Sequence, residues 1–224
     1  VLLGVVLSHV DDLLCGGSPR ARESILSLEK ELGFGSIEHN SFNYCGKKVS
    51  QDEHGVIHVT MPEYHANLQP VNVPAHRKKN PDAELNDAEK KQLRAILGSL
   101  QWLVAQVRVD QGFALSTLQG EKPTVGTLMR ANLLVKTFKA SGSFGLRFRP
   151  MSLENAGIMV VSDASLGNVN KDGSTAGDVT TKVFSQASYV VLIAEEKMMP
   201  GESGKFCLLD ARSHRLQRVC RSTF

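Results

Sequence analysis

Apolar and polar positions change period repeatedly along the chain, and each change marks an element. Val1 to Val10 is almost continuously aliphatic, Asp11-Asp12 interrupts it, and Leu13-Leu14-Cys15 resumes before Gly16-Gly17. The pattern predicts a β-hairpin with its acids at the tip. Ser18 and Pro19 then suit the cap and first turn of a helix whose apolar face is Ala21, Ile25, Leu28 and Leu32, stopped by Gly33. Strand-like stretches at Phe42–Gly46 and Gly55–Val59, joined by the polar Gln51–His54 turn, predict a second hairpin.

Pro70 to Pro81 holds three of the eight prolines and the run Arg77-Lys78-Lys79 without apolar periodicity, which predicts a linker. Asn86 to Glu89 is close to a capping box, and Leu93, Ile96, Leu97, Leu100, Leu103, Val104 and Val107 keep helical spacing after it. Leu115 and Leu118 mark a shorter helix. Leu128, Ala131, Leu134, Val135 and Phe138 mark a third, ending near Gly142. From Gly145 the period returns to that of strands, at 145–148, 157–162, 189–194 and 206–209, which predicts an antiparallel sheet. The expected class is α+β: β-hairpins plus a helix over 1–70, a linker over 71–85, a helical subdomain over 86–142, and antiparallel strands over 145–224.

Composition narrows the class without naming a function. At 42% hydrophobic, 22% charged and a net charge of +3, the chain has the make-up of an ordinary globular protein and too mild a charge to announce a nucleic-acid binder. The segment from Gly201 carries the whole of that excess, five basic residues against two acidic ones. The longest apolar run is about a third of the roughly 20 residues that span a bilayer, so no membrane partner is expected. No basic leader precedes it, so no secretion signal is expected. Cys15, Cys45, Cys207 and Cys220 form no CxxC pair, which fits reduced thiols inside a cell and disfavours structural zinc. The start at Val1 inside an apolar run and the stop after Ser222-Thr223 both read as cuts within a longer protein.

Adjacent acids between apolar strands repel each other and suit no core, and Mg²⁺, which accepts one or two carboxylates, would remove the conflict. Asp11 is then the principal ligand and Asp12 supports it. A solvated turn explains the same pair, and spacing alone leaves both open. Gly16-Gly17-Ser18 lacks the lysine of a phosphate loop, no Gly-x-Ser-x-Gly elbow exists, and the helical spacing around Trp102 suits a core position. Lys47, Lys48, Arg77, Lys78 and Lys79 are candidates for phosphate contacts, or simply a solvated face.

Val5 to Leu14 resembles the palm hairpin of reverse transcriptases of copia-type LTR retrotransposons, normally tyrosine-valine-aspartate-aspartate. Phe42 to Val49 sits where that family has its phenylalanine-leucine-glycine strand. Arg94 to Leu103 and Arg108 to Ser116 are similar to its leucine-glycine-serine-leucine and arginine-proline-aspartate blocks of the thumb and connection. Val160 to Ser165, with Gly173 to Gly177, resembles the opening of its ribonuclease H domain, and Arg212 to Thr223 the approach to that domain's glutamate helix. His9, Val109 and Leu166 depart from the family's usual tyrosine, proline and tryptophan; a packed imidazole suits His9 better than a metal ligand.

The resemblance implies part of a Pol polyprotein, RNA-directed DNA polymerase with ribonuclease H. Asp11 and Asp12 would serve nucleotidyl transfer with Mg²⁺ or Mn²⁺, and Asp163 RNA cleavage. Implied partners are an RNA template, a DNA primer, their hybrid and the rest of the polyprotein, in a cytoplasmic virus-like particle or the nucleus. The family's first palm aspartate and its ribonuclease H glutamate would lie outside this chain, so the isolated chain is expected to be inactive. A non-catalytic nucleic-acid-binding module, or a degenerate remnant of the element, is the alternative.

Overall fold

A computed structural model describes residues 3–141, 144–170 and 183–216, with the side chains of 166–170 and 183–184 left aside. The Gly173–Gly177 block, Cys220 and the last two arginines therefore lie outside the described residues. The fold is α+β, with antiparallel sheets and a helical layer.

Strands β1 (Gly4–His9) and β2 (Asp12–Gly17) pair as the expected hairpin, with His9 opposite Asp12. Ser18 caps α1 (Pro19–Ser27), its Oγ accepting from the Ala21 N–H at 3.3 Å, and α2 (Glu29–Leu32) ends at left-handed Gly33. Neither helix buries a residue. The region expected as one hairpin is a meander: β3 (Ser41–Tyr44), β4 (Lys47–Gln51) and β5 (Ile57–Thr60). The turn that periodicity missed is Cys45-Gly46, with both residues at positive φ (49° and 72°), the twist that a two-residue hairpin demands.

After α3 (Pro62–Asn67), the segment expected as a linker over 71–85 is built into the core. Val73 and Leu85 are buried, Asn132 bonds both the N–H and the C=O of Val71, and α4 (Ala75–Lys78) sits within the stretch. Prolines and missing periodicity mark irregular backbone, which can still insert single apolar side chains.

The helical layer follows the sequence closely. Asn86 and Glu89 close a reciprocal capping box on α5 (Asp87–Gln106), and α6 (Gly112–Gly120) and α7 (Val125–Ala140) follow. Leu93, Ile96, Leu100, Leu103, Leu115, Leu118, Leu128, Val135 and Phe138 fill one core with Met61 and Leu68. Trp102, expected in that core, is 46% exposed, because it lies off the Leu93-Ile96-Leu100-Leu103 stripe.

The strand at 145–148 belongs elsewhere than expected. β6 (Leu146–Phe148) pairs with β5 and completes a four-stranded sheet β3-β4-β5-β6 with the first lobe. The last lobe is a three-stranded antiparallel meander of β7 (Ala156–Asn170), β8 (Val183–Glu195) and β9 (Phe206–Arg215). Among the described residues no helix is long and apolar enough to cross a membrane.

Arg108, 2% exposed, joins these parts. Its Nε and Nη2 donate to the two carboxylate oxygens of Asp110 at 2.9 Å, and Nη1 donates to Ser141 Oγ at 2.9 Å. Its guanidinium also lies 4.7 Å from the Phe138 ring centroid and 5.1 Å from that of Phe144. Burial pushes the Asp110 carboxyl up, but hydrogen bonds from Arg108 and Gln111 outweigh it and hold the pKa below its ordinary value. A carboxyl depressed in the folded state adds stability above its unfolded pKa of about 3.9, and that stability is lost as pH falls through the folded value. Asp110→Ala strands a buried cation and is expected to lower unfolding free energy by about 3–5 kcal/mol in denaturant titrations at neutral pH. Below about pH 4 the gap between wild type and variant should narrow. A loss under about 1 kcal/mol would contradict this role.

Candidate metal and nucleic-acid site

Asp11 sits at the turn of the first hairpin and Asp12 opens β2, both exposed. The bend is two residues long, and Val10 enters it with φ 57°. A β-branched residue in the left-handed region is strained by roughly 1–2 kcal/mol, so the turn is imposed by the strands that close it. The base of the hairpin is held tightly. A Cβ on Gly4 would lie 2.7 Å from Ala21 Cβ, and one on Gly17 2.6 Å from Gly4 Cα, so both positions need glycine for α1 to pack there.

The tip is steadied by one aromatic contact. His9 meets Tyr44 edge to face, with centroids 6.3 Å apart at 70°, which places the β3–β4 turn beside the acids. Burial, then neighbouring Cys45 and the Asp12 carboxylate, raise the pKa of the Tyr44 phenol. Lys47, across the turn, donates to Gln106 Oε1 at 2.6 Å and so ties this hairpin to the end of α5. The hairpin is otherwise bare: Val5, Val6, Leu7, Val10 and Leu13 are 40–88% exposed.

The expected basic residues divide into two kinds. Arg77 forks onto Glu89 at 2.7–2.9 Å and caps the Glu84 carbonyl at 2.8 Å, which makes it a brace between α4 and α5. Glu89 is held below its ordinary carboxylate value by that fork. Lys48, Lys78 and Lys79 are exposed and form no ion pair among the described residues. They remain available to phosphates.

Asp163 stands apart from this hairpin. It lies on β7 opposite Ser188, exposed, at a cleft of about 420 Å³ between the sheet and the turn that opens α6. Asp110 lines the same cleft, with its carboxylate already engaged by Arg108. Among the described residues no three His, Cys, Asp or Glu side chains group to hold a metal. Asp11 and Asp12 fit a single hydrated Mg²⁺, which needs only one or two carboxylates. They do not by themselves make a two-metal centre.

The sequence assigns no structural role to Tyr44 or Gln106, which carry no signal of their own; Arg108 and Asp110 stand in the arginine-x-aspartate block, but their buried fork is visible only in the fold. No family model, curated protein or solved structure matches the chain.

Val10→Gly is expected to stabilise the protein by about 0.5–1 kcal/mol, since glycine accepts the positive φ but loses more entropy on folding. Thermal denaturation measures it, and a destabilised glycine variant would show that the valine side chain contributes packing that outweighs the strain.

Proposed function

We propose that this chain is part of a retrotransposon polymerase of the copia type, in which the Asp11–Asp12 bend is a metal-binding element for nucleotidyl transfer. One observation carries the reading: two adjacent carboxylates sit at an exposed hairpin tip, Asp11 in the strained two-residue bend with Val10 and Asp12 at the first position of β2, between largely aliphatic strands. Supporting it are the ordered resemblances above, the exposed Lys48 on the adjoining β3–β4 hairpin, and the exposed Lys78 and Lys79 at the opposite end of α5, all of which suit a nucleic-acid backbone. In this reading Asp163 belongs to a second, ribonuclease H activity.

Asp11 and Asp12 would hold Mg²⁺ or Mn²⁺ at the bend. The ion supplies charge neutralisation at a phosphoryl centre and lowers the pKa of a hydroxyl nucleophile. The chain's own contribution is positional. Tyr44 against His9 limits swing of the tip, and the glycine-packed base on α1 fixes its direction. With no third ligand grouped beside the two acids among the described residues, the chain alone is expected to be a poor catalyst. That same observation favours a second reading, a non-catalytic module that grips duplexes.

Two measurements separate the readings. Primer extension by the isolated chain with Mg²⁺ or Mn²⁺ is expected to give no product; Asp11-dependent extension would show the acids are already sufficient. An RNA–DNA hybrid should bind at low salt with log affinity falling against log salt at a slope of roughly −3 for three phosphate contacts, flattened when Lys48, Lys78 and Lys79 are replaced by alanine. Binding insensitive to Asp11→Asn and to Mg²⁺ supports the module, Mg²⁺-strengthened binding lost in Asp11→Asn supports the polymerase element, and no hybrid binding at about 50 mM salt would remove both.

A further inference from the structure

Apart from Asp163, the cleft between α6 and the last sheet is lined by side chains that the polymerase reading does not use. In β7, β8 and β9, residues opposite one another share a face. Asp163, Ser188 and Ser213 form one row across it, and Ser165, Gln186 and Arg215 the next. This face meets α6. Gln186 Nε2 donates to Ser116 Oγ at 2.8 Å and to Ser213 Oγ at 2.9 Å, and Arg215 reaches the Gly120 carbonyl at the far end of that helix. Tyr189 and Arg212 alternate with these rows and also border the cleft; the Tyr189 hydroxyl is engaged by Asp210 at 2.9 Å, and Arg212 forms no ion pair with Asp163.

Gln186 lines the cleft at 5% exposure, and its Oε1 has no hydrogen-bond partner. A buried amide oxygen left unpaired costs about 1–3 kcal/mol, so the position asks for a donor. Beside it the Asp163 carboxylate has no ion pair among the described residues, whereas Asp110, the other acid, is matched by Arg108. The opposite wall is aromatic: Phe113 borders the cleft and is 57% exposed. An acceptor, an unmatched negative charge and an exposed ring in about 420 Å³ together specify a ligand that donates N–H bonds, carries positive charge and has an apolar stem.

We propose that this cleft binds an alkylguanidinium group, with the planar fork donating to Asp163 and to Gln186 Oε1 and the stem lying on Phe113. Guanidinium suits it better than ammonium because its fork matches a carboxylate in two bonds and its plane stacks on an aromatic face. The inference rests on the cleft alone and stands or falls separately from the metal role of Asp163.

The test is a titration of the whole ¹⁵N-labelled chain with butylguanidinium, followed by NMR at the Gln186 side-chain amide and the α6 backbone. Saturable shifts at those positions are expected. Butylurea, which keeps N–H donors and shape but drops the charge, should bind about tenfold or more weakly. Asp163→Asn and Phe113→Ala both alter exposed side chains and should each weaken binding with the fold unchanged. Acetyl-arginine methylamide serves as a second cationic probe: tighter binding than butylguanidinium assigns the site to an arginine of a protein partner, and weaker binding to a free alkylguanidine. No saturable shift, equal affinity for butylurea, affinity unchanged in Asp163→Asn, or a response to Mg²⁺ alone would overturn the proposal.

Discussion

The buried guanidinium of Arg108 is the constraint from which the rest of the arrangement follows. A cation at that depth is tolerated only when every donor is met and its charge is balanced nearby. Asp110 provides the balance, Ser141 takes the remaining direction, and two phenylalanine rings cover the faces. Because these partners come from the end of α5, the start of α6, the end of α7 and the approach to β6, one side chain fixes four chain segments together. The same fork leaves Asp110 matched at the edge of the cleft, whereas Asp163 there forms no ion pair among the described residues.

The first hairpin is organised in the opposite way. It has almost no core of its own, and its geometry comes from backbone approach at Gly4 and Gly17, one ring contact between His9 and Tyr44, and a bend that forces Val10 out of its preferred region. Little buried apolar area supports it, so its position depends on few contacts. Precision at the acids is therefore a property of the turn and of the neighbouring hairpin, while stability resides in the helical layer.

Much of this was legible in the sequence, for reasons that differ by element. The long helices were, because Leu93 to Val107 and Leu128 to Phe138 repeat at a period that only a helix satisfies, and because Ser18 and Asn86 announce helix starts by chemistry. The hairpin was legible because polar residues between Ser8 and Asp12 break an otherwise aliphatic run, although the bend itself holds Val10 and Asp11, and Asp12 already opens β2. The Cys45-Gly46 turn was not, since cysteine is no customary occupant of a positive-φ site. Val73 and Leu85 were missed because single insertions into a core leave no period. The helical spacing of the leucines around Trp102 does not extend to it, because its angular position on α5 falls outside their stripe. Gln186 was invisible: its role arises from strand register, which pairs it with Ser165 and sets it against Ser116, and no local pattern encodes that.

The return of β6 to the side of β5 also bears on how the molecule is assembled at the ribosome. The first-lobe sheet cannot gain its fourth strand until the entire helical layer has been made, so that edge waits unpaired while α3 to α7 emerge. Loop-closure entropy grows only slowly with length, and a pre-formed helical layer brings the two ends close, so the helices act as an internal template for the last strand. The meander over residues 41–60 is consequently the stretch most exposed to mispairing during synthesis.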